Sequence, residues 1–367
     1  MRLLVITNDY PPVVGGIENY TYSLASRWTE DEVTVVTRWV PGCEKFDASN
    51  QIEVIREPVG TLLATPTLKR KIGELLDEGR FDAVHFPSAM PTSLVGPRVV
   101  APRGIPYAVT AHGGEFLLAS KLPWFKRQLK AVLSRASVIL PQATTTEDRI
   151  RQWLPDHPPM VMVTCGVDIE RYEPGPRDFD PPTILSVSRL VARKGPATLI
   201  RALPAVLARH PRAEALIVGG GPDLSRLERL AAKHRVQHAI RFMGSQPWEQ
   251  VAQIYSSASV FALPTRERFG GIETEGLPLV FVEAAASGLP LIGGDAGGVK
   301  DAVHDGETGI LVDGREPTQT ADAINSLLDD PAAARAMGDR ARTMAEKSFT
   351  WEHISEIFKQ TLETYCR

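Results

Sequence analysis

Along the chain, short runs of β-branched and aliphatic residues alternate with longer stretches whose apolar positions recur at helical spacing. LLVIT (3–7), EVTVVTR (32–38), AVHF (83–86), YAVTAH (107–112) and SVILP (137–141) read as strands. Residues 17–28 and 68–78 read as helices between them. Strands without regular polar alternation, separated by helical stretches, predict βαβ units and a parallel sheet covered on both faces.

The pattern then breaks and restarts. EPGPRDFDPPT (173–183) holds four prolines and a glycine in eleven residues, the composition of a linker. Beyond it, TILSVSR (183–189), EALIVGG (214–220), AIRFMG (239–244), SVFALP (259–264), LPLIGGD (289–295) and GILVD (309–313) read as strands. Residues 195–210, 223–234, 280–287, 321–328 and 332–347 read as helices. The closing segment 349–365 places Trp351, Ile354, Ile357, Phe358, Leu362 and Tyr365 at helical spacing. The expectation is an α/β protein of two Rossmann-like domains facing a cleft. The N-terminal one spans 1–170 and is completed by a helix at 350–367; the C-terminal one spans 171–349. Sheets of this kind bind ligands beyond the carboxyl ends of their strands.

Composition narrows the function classes. A net charge of −3 gives no global attraction to nucleic acid, so any basic surface is local. Cys43, Cys165 and Cys366 are far apart and odd in number, which argues against a disulfide framework or zinc site and fits a reducing, cytoplasmic setting. The apolar run at the N-terminus is too short for a signal peptide, and no run reaches the ~18 residues of a membrane span.

Candidate chemistry sits at the strand ends. In EGLPLVFVE (275–283), Pro278 suits the first turn of a helix. Glu275 then precedes the helix and Glu283 lies inside it, while the amides of Leu279, Val280 and Phe281 point back toward Glu275 as an anion site. In SRLVARKG (188–195), Arg189 and Lys194 can clamp a diphosphate, a guanidinium fork beside a point charge. In NDYPPVVGGIENY (8–20), Gly15 and Gly16 let backbone amides approach a ligand. In TAHGGEF (110–116), His112 ends a strand at the cleft rim. The first loop lacks GxGxxG and the second strand ends without a ribose-binding acid, which disfavours a dinucleotide oxidoreductase. Asp178 and Asp180 form a DxD, but in the linker, where they read as solvent-facing rather than metal-binding.

Taken together, the order and spacing of these elements resemble the retaining glycosyltransferases of family four, of the GT-B fold, over nearly the whole chain. Glu275 and Glu283 match that family's E-x7-E element, Arg189 and Lys194 its diphosphate clamp, Gly15 and Gly16 its N-terminal glycine loop, and His112 its active-site histidine. CGVDIERYEP (165–174) is similar to its linker signature, with Cys165 where asparagine is usual. Within the family the chain looks most like bacterial phosphatidylinositol mannosyltransferases that use GDP-mannose. It departs from them at Pro278, where glycine is frequent, and at Lys300–Asp301, where Pro-Glu is common.

The resemblance implies roles. Arg189 and Lys194 stabilise the departing diphosphate, Glu283 holds the ribose, Glu275 holds sugar hydroxyls with the backbone of Gly276, Leu277, Leu279 and Val280, and His112 contacts the donor sugar. It also implies transfer with retention, a nucleotide-sugar co-substrate and no metal requirement. KLPWFKRQLKAVLSR (121–135) suggests the acceptor. Lys121, Lys126, Arg127 and Lys130 alternate with Trp124 and Phe125 without any acid, a pattern suited to an anionic membrane surface and a lipid-linked acceptor. TLKRKIGELL (67–76) adds a second basic cluster. A UDP-sugar enzyme of the same fold and a non-catalytic nucleotide-sugar-binding protein remain open alternatives at this point.

Overall fold

The computed structural model describes residues 1–13, 15–28, 32–79, 81–116, 119, 122–176, 179–269 and 273–367, with the side chains of 248 and 249 outside that description. The chain forms two compact units: Met1–Cys165 with Trp351–Arg367, and Gly166–Thr350.

The first unit holds β1 (Leu3–Ile6), α1 (Gly16–Ser26), β2 (Val33–Arg38), α2 (Cys43–Ala48), β3 (Glu53–Glu57), α3 (Pro66–Asp77), β4 (Ala83–Phe86), β5 (Tyr107–Ala111), α4 (Pro123–Leu133), β6 (Val138–Pro141) and α5 (Thr144–Trp153). All six strands are parallel, in the order β3-β2-β1-β4-β5-β6. The order reverses between β1 and β4, and that switch point opens a crevice at the carboxyl ends of the two strands. Leu4, Ile6, Val84, Phe86, Val109 and Ile139 fill one face with side chains from α3, α4 and α5. The last helix, Trp351–Tyr365, covers the opposite face. There Phe358 lies 4.8 Å from the His85 ring and 5.7 Å from the Trp28 ring, centroid to centroid.

The second unit repeats the plan. It holds β7 (Thr183–Val187), α6 (Pro196–Arg209), β8 (Glu214–Val218), α7 (Leu224–Lys233), β9 (Ile240–Gly244), α8 (Trp248–Ser256), β10 (Val260–Leu263), α9 (Leu279–Ala286), β11 (Leu291–Gly294), β12 (Gly309–Val312), α10 (Pro317–Asp329) and α11 (Pro331–Ser348). The helix α12 (Trp351–Tyr365) follows and belongs to the first unit. The second sheet is again parallel, in the order β12-β11-β10-β7-β8-β9, with its switch point between β7 and β10. Alternate residues of its strands feed two cores. Ile184, Ile217 and Ile292 face α6 and α10, whereas Leu185, Phe261 and Leu291 face α9 and α11.

Several elements escape the hydrophobic pattern. β3 is an edge strand whose EVIRE sequence carries charge at both ends and at Arg56. α5, TTTEDRIRQW, buries only Thr146 and Ile150, too few apolar residues to declare a period.

Candidate functional site

At the switch point of the second sheet, β7 runs on as Ser188–Arg189–Leu190. Its ladder with the following chain continues through Ser188 N–H to Val218 O at 3.0 Å and Leu190 N–H to Gly220 O at 2.9 Å. This pairing explains the GGG turn at 219–221. A Cβ on Gly219, whose φ is 125°, would lie 1.9 Å from Ser188 O, and one on Gly221 would lie 2.4 Å from Leu190 O. The glycines therefore let two backbones meet and so present Arg189, which is exposed. No described residue pairs with the Arg189 guanidinium.

The chain then makes a 3-10 turn at Ala192–Lys194 before α6. This turn delivers two cations to one carboxylate. Arg193 Nε donates to Glu275 Oε1 and Lys194 Nζ donates to Glu275 Oε2, both at 2.7 Å. The Glu275 side chain is 7% exposed, that of Lys194 12% and that of Arg193 31%, so the pairs are largely shielded from water. The Glu275 backbone is fixed as well, because its carbonyl accepts from Gly298 N–H at 3.1 Å. A Cβ on Gly297, at φ 57°, would stand 2.3 Å from that carbonyl oxygen. Each carboxylate oxygen retains a second lone pair with which to accept from a hydroxyl.

Beyond Glu275, Gly276, Leu277, Leu279 and Val280 are half-buried, and the three apolar side chains pack on the core beneath. Pro278 caps α9 rather than opening it, and the Phe281 amide donates to the Pro278 carbonyl at 3.0 Å. The expectation that the Phe281 amide is free for an anion is therefore corrected: the first turn closes on itself. One and a half turns on, Glu283 accepts from Tyr255 Oη at 2.9 Å, and Tyr172 bonds to it too. Burial pushes the Glu283 carboxyl above its ordinary value, against the opposing pull of the two tyrosines and of Arg171. Lys194 and Glu275 thus meet directly, whereas Glu283 belongs to a separate tyrosine-lined cluster.

In the first unit, His112 follows β5 and its ring bridges the ends of the two neighbouring strands. Nδ1 lies 2.9 Å from Gln142 Oε1 and Nε2 lies 2.7 Å from Pro87 O. Both partner atoms are acceptors as placed, and the Gln142 Nε2 is buried without a partner. The His112 amide donates to Glu115 Oε1 at 3.0 Å.

Three carboxylates gather at this end of the sheet. Burial raises the pKa of Asp9, opposed by the charges of His112 and Arg38. Burial raises Glu115 against the same histidine and local amides. Glu18 is raised by burial with a further push from Asp9. Gly15 caps α1 and Gly16 is its first residue. The Glu18 carboxylate occupies the space over Gly15, where a Cβ would lie 2.1 Å from Oε2.

Sequence reasoning missed Arg193, Asp9, Glu18, Glu115, Tyr172 and Tyr255. Asp9, Glu18, Glu115 and Arg193 all lie within the motifs quoted above, and each is half-buried.

The α4 helix corrects one expectation. Phe125 is 8% exposed and sits in the core with Leu129, so it is not offered to a membrane. Trp124 is 60% exposed, Arg127 is exposed and Lys130 half-buried. The Lys126 ammonium lies 4.9 Å from the Trp153 ring centroid. Lys121 lies outside the described residues, as does Asp178. Asp180 is exposed and pairs with Arg212 at 2.5 Å. No described helix is long and apolar enough to cross a membrane.

The chain is similar to known proteins over its whole length. Residues 14–171 match the model of Glycosyltransferase Family 4, and 170–344 match that of Glycosyl transferases group 1. The chain is 32% identical to a GDP-mannose-dependent monoacylated alpha-(1-6)-phosphatidylinositol monomannoside mannosyltransferase of Corynebacterium glutamicum, covering 100% of this chain and 99% of that protein. It is 32% identical to a GDP-mannose-dependent alpha-(1-6)-phosphatidylinositol monomannoside mannosyltransferase of Mycobacterium tuberculosis, covering 96% of each. Among solved structures, HepE of Anabaena in complex with UDP superposes with a TM-score of 0.84 at 19% identity, over 99% of this chain and 100% of that one.

Proposed function

The chain belongs to glycosyltransferase family four, with the GT-B fold, and on that premise we propose that it moves mannose from GDP-mannose to a phosphatidylinositol mannoside with retention of configuration and without a metal. The observation that carries the reading is the pairing of Lys194 with Glu275 at the β7/β10 switch point, five residues after an exposed Arg189 that has no described partner. The named activity of the two full-length relatives supports the donor and the acceptor.

In this reading the second unit binds the donor and the first the acceptor. Arg189 and Lys194 neutralise charge growing on the departing diphosphate, stabilisation placed where charge develops. They supply the positive charge that a metal would otherwise bring. Glu275 holds Lys194 in place and accepts from the sugar hydroxyls. Glu283, steadied by Tyr255 and Tyr172, accepts from the ribose. His112 is assigned to the donor sugar, as its match to the family's active-site histidine implies. The leaving phosphate takes the acceptor's proton as the new glycosidic bond forms on the face that the phosphate leaves. Trp124, Lys126, Arg127 and Lys130 rest on an anionic membrane at the cytoplasmic side.

The test is thermal unfolding against GDP-mannose, GDP, UDP-glucose and UDP-N-acetylglucosamine, followed by mannosyl transfer to phosphatidylinositol monomannoside in vesicles. A ligand at a hundred times its dissociation constant stabilises by about 2.7 kcal/mol. Stabilisation by the guanosine ligands and product formation are expected. A shift with uridine ligands alone would refute the donor, and donor binding without transfer would refute the acceptor.

A further inference from the structure

The loop after β10 carries a second concentration of positive charge, whose residues are not those of the clamp, Arg189 and Lys194. Arg266, Glu267, Arg268, Phe269 and Arg315 line an open concavity of about 400 Å³. The Arg266 backbone is anchored by its amide on the Arg193 carbonyl at 2.8 Å. Its half-buried guanidinium has no acid partner among the described residues. Burial, followed by the charges of Arg201, Arg268, Arg226 and Arg315, depresses its pKa. Two of those four have their own acids, since Arg268 pairs with Glu273 at 2.9 Å and Arg226 with Asp223 at 2.7 Å. Among the described residues, the Arg315 guanidinium donates to the Glu267 carbonyl, at 2.9 Å, and meets no carboxylate. An excess of positive charge is thus held together against its own repulsion.

The remaining lining is equally specific. Phe269 is 68% exposed, has a left-handed backbone at φ 53°, and has the Arg268 guanidinium 4.7 Å from its ring centroid. A bulky residue in that conformation costs free energy and is kept where the site uses it. The Glu267 carboxylate accepts from the Thr274 hydroxyl at 2.9 Å and has lone pairs left over.

We propose that Arg266, Arg268 and Arg315, with Glu267 and Phe269, form an anion site separate from the diphosphate clamp that takes a phosphate ester of a hydroxylated ring. The guanidiniums bind phosphate oxygens, which arginine recognises in bidentate fashion. Glu267 accepts from ring hydroxyls, and the Phe269 face covers the ring's C–H surface. Such an ester is offered either by a free sugar or cyclitol phosphate or by a lipid headgroup. The site does not depend on the donor assigned above.

The experiment uses the whole protein saturated with GDP, so that the clamp is filled, and titrates inositol 1-phosphate by calorimetry. Inorganic phosphate and unphosphorylated inositol are the controls. The binding of GDP is measured first, so a failure of the donor reading shows separately. Inositol 1-phosphate is expected to bind and inositol is not. Arg266→Met and Arg315→Gln should each weaken binding about tenfold, the loss of one charge-assisted contact. Arg266→Met should also melt at or above the parent in phosphate-free buffer, because it removes a repelled, half-buried charge. Retention on phosphatidylinositol vesicles that is lost in Arg266→Met assigns the headgroup as the source; binding of the free ester alone assigns the soluble one. Absence of binding at millimolar inositol 1-phosphate, or binding that both variants leave within about twofold, overturns the proposal.

Discussion

Replacing Glu275 by glutamine keeps the shape of the side chain and removes the charge that two cations share. Lys194 is 12% exposed and loses its only described carboxylate, as does Arg193 at 31%. Removing one partner of a fully buried pair costs about 3–5 kcal/mol. The greater exposure of Arg193 lets water screen its part of the loss. A cost of about 3 kcal/mol is therefore expected, which for a unit of this size lowers the thermal midpoint by about 6–12 °C. Lys194→Met leaves Glu275 paired with Arg193 and should cost less. In Glu275→Gln/Lys194→Met the two losses should fall short of their sum, with a coupling of about 1–3 kcal/mol. Function should move the opposite way for the ground state. With the carboxylate gone, the two cations attract a diphosphate more strongly, so GDP should bind Glu275→Gln more tightly while mannosyl transfer falls. Scanning calorimetry with and without GDP, and initial-rate assays, read all of these. A single variant that melts within about 1 °C of the parent, where the pair predicts several degrees, would refute the argument. So would weaker GDP binding.

Two further outcomes follow from burial. His85 is 2% exposed, contacts Thr110 Oγ1 at 2.9 Å, and is pushed down to about 3 by burial and by the charge of His112. The unfolded chain, with a histidine pKa of about 6.5, takes up the proton first as pH falls. Its contribution to stability is therefore complete above about pH 6.5 and declines toward pH 3, by at most about 1.4 kcal/mol per pH unit. Relative to the parent, His85→Gln should lose about 2 kcal/mol less between pH 6.5 and pH 5; parallel denaturation curves at the two pH values would refute this. On α4, Phe125→Ala should destabilise by about 3–5 kcal/mol. Trp124→Ala should change stability by less than about 0.5 kcal/mol and instead reduce retention on anionic vesicles at low salt. Unchanged retention would remove Trp124 from any membrane role.

The hydrophobic pattern determined most of the architecture. Eleven of the strands were legible because a parallel strand is covered on both faces, and its apolar run stands out between helical periods. The edge strand β3 was not, since only half of its surface is covered and charge is tolerated there. The loops that hold Arg189, Lys194, Glu275 and His112 also stood out, as glycine, proline and charged residues at strand ends. Tertiary structure alone decided which of those residues meet. Nothing in the spacing of Arg193, Lys194 and Glu275 announces an ion triad; the 3-10 turn after β7 and the Gly297–Gly298 turn after β11 bring the partners together from positions more than eighty apart in sequence. The same holds for Phe125 and Trp124, adjacent residues of opposite fate. A helix turns by about 100° per residue, so one faces the core and its neighbour faces water, and which is which depends on where the sheet lies.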